Sequence, residues 1–484
     1  MLLLHPLKTD YSYLDAESEE IMKKTIAWFE AKGKTKLTDD DRNFVWYADF
    51  LSFIKEEKIF AKLMTPSGYG KSDSRWDTAR IAAFTEICGF YGLCYWYTYQ
   101  VSSLGLGPVW MSGNELVKEK AAKLLDEGHI FAFGLSEKEH GADIYSSDMI
   151  LSKKEDGSYE ANGGKYYIGN GNKAGIVSVF GLTEDTKEHV CFAVDSQHPN
   201  YKLIKNVVNS QSYVSQFELE KYPIKEEDIL HRGRDAWDAA LNTVNINKYN
   251  LGWATIGICT HALYEAINHA SHRNLYGKFV TDFPHIKVLF SKAYTRLVAM
   301  RLFIFRATDY MRSASAEDRR YLLFNPMVKM KVTTEGEHVV NDIWDVVAAK
   351  GFERDMYFNM AARDIRALPK LEGTVHVNMA LIIKFMPNYF FNPAEFPEIP
   401  QRFDAANDEF LFNQGPTKGL SKIQFHDYNK AYELYDTPNI NVFKKQIATF
   451  KETLMMAGPS PEQAKDIGFL SVSYTHLRAH ETTS

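Results

Sequence analysis

Paired cysteines are missing from this 484-residue chain. Its four cysteines stand singly at positions 88, 94, 191 and 259, with no CxxC spacing. That excludes a disulfide-stapled framework and a cysteine-rich zinc module, and it fits a reducing compartment. The four thiols read as buried filler. Long apolar runs are missing too: no window reaches about 18 uninterrupted apolar residues, so no membrane span is expected. The opening MLLLHPLKTDYSYLD has no basic stretch and no long apolar centre, so it does not read as a secretory signal. A strong charge of one sign is absent. The formal net charge of −6 gives no reason to expect nucleic acid or an anionic membrane as partner. The 15 histidines are scattered, and no HExxH, GxSxG or Walker string occurs, so no metal site is expected. GNGNKAG (169–175) lacks both the GxGxxG spacing and the strand–turn–helix setting of a dinucleotide-binding turn.

What is present describes a globular protein. The hydrophobic content is 45% and the aromatic content 14%, at a length that calls for two to four domains. Residues 1–129 read as an N-terminal helical domain. ESEEIMKKTIAWFEAK places acids before lysines, as the helix dipole favours. DTARIAAFTEICGFYGLCYWYTY is apolar nearly all round, so it is expected inside. The texture changes near 130. Short alternating or β-branched runs such as KYYIGN, GIVSVFG and HVCFAVD are separated by EDGS, ANGG and GNGN turns. Residues 130–231 therefore read as a central antiparallel β-barrel or sandwich. Helix returns over 232–389 as a C-terminal bundle, where Leu289, Ala293, Leu297, Met300 and Ile304 share one face. The expected class is α+β multidomain. Residues 390–470, rich in Pro, Asn and Phe at their start, form a C-terminal extension. SVSYTHLRAHETTS (471–484) breaks with the preceding composition and reads as a non-native tail.

Six strings in register carry the functional reading. They are FAFGLSEKEHGADIYSSD (131–148), GGKYYIGNGNKAG (163–175), HRNLYGK (272–278), AAKGF (348–352), RD (363–364) and EGT (372–374). In this order and spacing, over roughly residues 15–390, the chain resembles the acyl-CoA dehydrogenase family. The resemblance implies an FAD enzyme that oxidises an acyl-CoA thioester to the trans-2-enoyl-CoA, in fatty acid β-oxidation. Electrons would pass to an electron-transfer flavoprotein. A homodimer or homotetramer is implied, in the cytoplasm, or in mitochondria or peroxisomes if the source is eukaryotic.

A thioester α-proton is weakly acidic, so its removal needs a positioned base and a polarised carbonyl. By itself Glu372 fits a helix-start acid favoured by the dipole. In register with the other strings it matches the family's catalytic base, with its own N–H toward the thioester oxygen. Gly373 allows close approach to substrate. The alternative base position of some relatives falls on Asn247, which is no carboxylate. The resemblance assigns cofactor contacts to Phe133, Leu135, Ser136, Tyr167, Ile168, Gly169, Arg273, Leu275, Asp345, Ala348, Ala349, Thr374 and His376. It assigns substrate contacts to Ala142, Asn245, Lys248 and Gly373. Several positions depart from the family pattern. Gly169 replaces a threonine whose hydroxyl would contact flavin N5, Lys248 replaces an arginine, and DVVAA (345–349) replaces a Gln-x-x-Gly-Gly segment. Arg363 and Asp364 read as structural. Two other readings stay open. An acyl-CoA oxidase-like enzyme is suggested by the C-terminal extension. A non-catalytic acyl-CoA-binding member is suggested by the departures at Gly169, Asp345 and Ala348–Ala349.

Overall fold

A computed structural model describes residues 3–71, 73–141, 143–399 and 404–458, with scattered positions up to 468. The segment 471–484 and Ala142 lie outside the described residues. Seven helices come first: α1 (Ala16–Lys32), α2 (Lys34–Arg42), α3 (Ala48–Glu56), α4 (Ile59–Met64), α5 (Thr78–Tyr91), α6 (Leu93–Met111) and α7 (Glu115–Asp126). Asp15 caps α1 by accepting from the Ser18 N–H, and Asp77 caps α5 by accepting from Ala79 and Arg80. Every residue of α5 and nearly every residue of α6 is buried. Helices with no polar face belong inside, and these two form the layer on which the rest is built.

Eight strands follow: β1 (Ile130–Gly134), β2 (Ile150–Lys153), β3 (Tyr159–Gly169), β4 (Ala174–Thr183), β5 (His189–Val194), β6 (Tyr201–Asn206), β7 (Val214–Ile224) and β8 (Ile229–Arg232). They form one sheet in the order β6-β7-β3-β2-β4-β5-β8, with β1 also on β4. The expected all-antiparallel pairing holds for most neighbours and fails at two: β1–β4 and β2–β4 are parallel. Neither pair is joined by a tight turn. With intervening strands between them, nothing imposes the antiparallel direction of a hairpin. The class is α+β, with a mixed sheet between two helical regions.

The bundle is built on α8 (Gly233–His272), a 40-residue helix. The hairpin β9 (Asn274–Leu275) and β10 (Lys278–Phe279) leads to α9 (Pro284–Arg312) and α10 (Tyr321–Met327). A π-turn (Val328–Val332) joins α10 to α11 (Thr333–Val347). Then come α12 (Tyr357–Ala367), α13 (Val375–Ile383), α14 (Met386–Phe391), α15 (Tyr428–Glu433) and α16 (Pro438–Ala457). Buried Arg301 of α9 pairs with buried Glu86 of α5. Arg363 makes a two-pronged contact with Asp41, at 3.1 and 2.6 Å, and also pairs with Asp364. The RD pair thus ties α12 to α2.

The extension is ordered where it recrosses the first helical region. The Ala406 N–H donates to Asp77, and the Thr78 N–H donates to Asp408 at 2.7 Å. Phe412 meets the Trp76 ring edge-on, with centroids 4.9 Å apart. Beyond it, the Thr417 hydroxyl donates to Asp238 of α8, and Asn242 donates to the Gly415 carbonyl.

Candidate active site

The short link between α12 and α13 carries Glu372 and Gly373, both with left-handed backbone, at φ 52° and 88°. Glycine adopts this conformation freely; a glutamate adopts it only where its surroundings hold it. Asn378 supplies part of that hold, donating to the carbonyls of Gly373 and Thr374 at 3.2 and 2.9 Å. Thr374 caps α13 through its hydroxyl. The effect is to turn the Glu372 side chain inward toward α6 and α8.

One oxygen of that carboxylate, Oε1, accepts from Gln100 Nε2 at 2.7 Å. Gln100 is fully buried on α6 and is itself fixed. Its Nε2 also reaches the Asn247 carbonyl, and its Oε1 accepts from Asn250. The second oxygen, Oε2, is shielded from solvent and has no hydrogen-bond partner among the described residues. Two amines share the space. Lys248 of α8 and Lys329 of the π-turn are both buried, and Lys329 Nζ also lacks a hydrogen-bond partner among the described residues. Burial pushes the Glu372 carboxyl up to about 7, against the Gln100 hydrogen bond and the charges of Lys329 and Lys248. Burial pulls the Lys248 ammonium down to about 8 and the Lys329 ammonium down to about 7, each against the attraction of Glu372. A carboxylate and two amines that all exchange protons near neutrality suit acid–base work. Tyr97 of α6 also feels the Glu372 charge, and burial is the larger cause of its raised hydroxyl.

The residues expected from the sequence fall into three groups. Glu372, Gly373 and Lys248 come together, with half-buried Asn245 one turn before Lys248 on α8; its carbonyl accepts from Asn325. A second group lies on the sheet. Phe133 is buried on β1, and Leu135 and Ser136 follow it. The Ser136 hydroxyl donates to the Tyr166 carbonyl at 2.7 Å. Tyr167 is 60% exposed, with φ 64°. Ile168 turns its side chain into the sheet's core, and its carbonyl accepts from the Ser215 hydroxyl at 2.8 Å. Gly169 ends β3 beneath Tyr97. A third group is exposed: Arg273 and Leu275 on the hairpin, and Asp345, Ala348 and Ala349 at the end of α11. Arg273 acts electrostatically on Lys350, which places the hairpin beside that helix end. His376 is exposed on the first turn of α13.

Sequence reasoning missed Gln100, Tyr97 and Lys329. A Gln inside an otherwise apolar helix, and a Lys inside NPMVKMKV, were the available signals. It also missed the support under the 136–148 loop. Buried Lys165 pairs with Glu137 at 2.6 Å, and Glu137 also accepts from the Ser147 hydroxyl and the Asp148 N–H. Glu137, His140 and Asp148 form a compact group of metal-capable side chains, but Lys165 already neutralises its only buried member.

A helical region, a mixed sheet and a helical bundle, with a buried carboxylate where the bundle meets α6, define the acyl-CoA dehydrogenase class of fold. Residues 235–386 match the family model described as acyl-CoA dehydrogenase, C-terminal domain. The chain is 25% identical over 380 residues to the short-chain specific acyl-CoA dehydrogenase of Megasphaera elsdenii, covering 76% of this chain and 97% of that protein. It superposes on butyryl-CoA dehydrogenase from Megasphaera elsdenii with a TM-score of 0.71 at 21% identity, over 76% of this chain and 97% of that one. A glutaryl-CoA dehydrogenase from Mycobacterium smegmatis in complex with FADH2 superposes with a TM-score of 0.68 at 17% identity, over 77% and 95%. Residues 235–386 thus carry the acyl-CoA dehydrogenase C-terminal domain, and the chain as a whole is similar to acyl-CoA dehydrogenases in sequence and in fold.

Proposed function

We propose that this protein carries out FAD-dependent α,β-dehydrogenation of an acyl-CoA thioester, with Glu372 as the base. The observation that carries this reading is Glu372 Oε2: shielded, without a partner, held in a left-handed link, on a carboxyl raised to about 7. A buried carboxylate left with one open oxygen is costly unless it has a task.

The side chains present fit a flavin. Tyr167 offers an exposed ring near the end of β3, and Ser136 a hydroxyl whose oxygen can still accept. Arg273, with Lys350 beside it, offers cations for the phosphates. Asp345 is exposed near the same helix end and would have to point away from them. When bound, the flavin supplies the acceptor for the hydride that leaves the substrate β-carbon. The chain's own residues do the rest. Glu372 Oε2 takes the α-proton as the Cα–Cβ double bond forms. Gln100 holds the other oxygen, so the carboxylate presents one lone pair in a fixed direction. The Glu372 N–H polarises the thioester oxygen. Lys248 and Lys329 stabilise the carboxylate before it takes the proton.

The electron acceptor in this proposal is an electron-transfer flavoprotein, as the family resemblance implies. The four cysteines are free and buried, in keeping with a reducing compartment such as the cytoplasm. No helix among the described residues is long and apolar enough to cross a membrane. We place a subunit contact on the hairpin face, where Tyr276 is 97% exposed beside exposed Leu275 and Phe279. A homodimer or homotetramer would cover it.

The test is turnover of a panel of acyl-CoAs with an artificial electron acceptor. Glu372→Gln should keep bound flavin and lose activity on the order of 10³-fold, as expected for removal of a general base. A Glu372→Gln enzyme that turns over at the wild-type rate would refute the assignment.

A further inference from the structure

Gly169 is the last residue of β3, and the space above it is taken. A Cβ built there would lie 2.7 Å from Tyr97 Cε1, 2.8 Å from Tyr97 Oη and 2.7 Å from Val101 Cγ1. Contacts that close cannot stand, so any side chain at 169 has to displace the tyrosine. The tyrosine is well anchored, being 7% exposed on an internal helix. Its hydroxyl makes no hydrogen bond to another described residue and is not among the side-chain atoms sealed from solvent, so it is open to an incoming group. It also stands close enough to Glu372 to feel that carboxylate's charge. The hydroxyl therefore points into the gap between the end of β3 and Glu372.

We propose that Tyr97 is a positioning residue of the active site: its hydroxyl donates a hydrogen bond to the ligand seated between Gly169 and Glu372, and Gly169 is glycine so that the ring can reach there. The inference rests on the reading that flavin and an acyl thioester meet in that gap. It adds a donor that comes from α6, neither from the sheet nor from the Glu372 link. Tyr97 and Gly169 form one unit: the helix supplies a long aromatic with a polar tip, and the strand gives up its side chain to make room.

The test uses the purified holoenzyme. Tyr97→Phe removes the hydroxyl and keeps the ring. It should keep wild-type flavin content and thermal midpoint. The visible band of its bound flavin should shift, and its affinity for an enoyl-CoA product, read from perturbation of that band, should fall about tenfold, the worth of one good hydrogen bond. Gly169→Thr alone should lower flavin content, because its side chain meets Tyr97. Tyr97→Ala with Gly169→Thr should restore flavin content and return part of the lost affinity, since a hydroxyl is back in the same volume. A Tyr97→Phe enzyme with unchanged band and affinity would overturn the proposed hydrogen bond. A Gly169→Thr enzyme as well loaded as the double variant would overturn the shared-volume argument. Both failures leave the wild-type flavin and the effect of Glu372→Gln intact, so they are separable from failure of the dehydrogenase reading, which shows as wild-type protein without flavin.

Discussion

Glu372 joins an unfavourable backbone to an unfavourable charge. Its carboxyl sits at about 7 in the folded chain against an ordinary 4.5. The folded state therefore prefers the protonated form. The associated stability is complete below about pH 4.5 and is lost as pH rises through about 7. Glu372→Gln should then be more stable than wild type at pH 8, by about 1–3 kcal/mol, with the gap closing toward pH 5. Denaturant unfolding at the two pH values checks this; a gap that widens at low pH contradicts it. As the proposed base, Glu372 acts in its ionised form, so kcat/KM should rise with pH through about 7. Ala348 makes a second residue-scale case. It ends α11 at φ 58° and ψ −142°, a conformation that favours glycine. Ala348→Gly should stabilise the protein by about 1 kcal/mol, read by thermal unfolding, because relief of backbone strain exceeds the entropy cost of glycine. A destabilised variant would show that the alanine methyl is needed for packing.

At the scale of elements, the ordered extension does what a linker could not. Its 404–417 stretch caps the start of α5 from outside and then fastens to α8, so it joins the first helical region to the bundle. Phe412→Ala removes the ring set against Trp76 and should cost about 3 kcal/mol. A cost below about 1 kcal/mol would mean that the stretch lies loosely on the surface. Legibility also divides along element lines. α5, α6 and the alternating strands were readable because each pattern is local. The link holding Glu372 was readable because EGT is a compact string with a specific register. Gln100 was not, since its bond to Glu372 spans 272 residues of sequence and the residue sits in a helix whose apolar pattern says only that it is internal. Lys329 was hidden in the same way, because a π-turn shifts which face a residue presents and leaves no periodic trace. The parallel pairing of β1 and β2 with β4 was unreadable, since strand direction depends on long connections and not on the strand's own residues.

The whole molecule brings three distant parts of the chain to one carboxylate: α6 from the first helical region, the end of β3 from the sheet, and the α12–α13 link with α8 and the π-turn from the bundle. None of these parts has a site alone. The exposed hairpin group, with Arg273 and the end of α11, is the surface on which the proposed subunit contact falls. The central claim is that Glu372 removes a proton from an acyl thioester so that its electrons can leave to bound flavin. Anaerobic mixing of the purified protein with excess acyl-CoA tests it in a single turnover. The account predicts a yellow wild-type protein whose visible flavin absorbance bleaches on mixing, and a Glu372→Gln protein that is equally yellow and does not bleach. Equal bleaching of both proteins would contradict it.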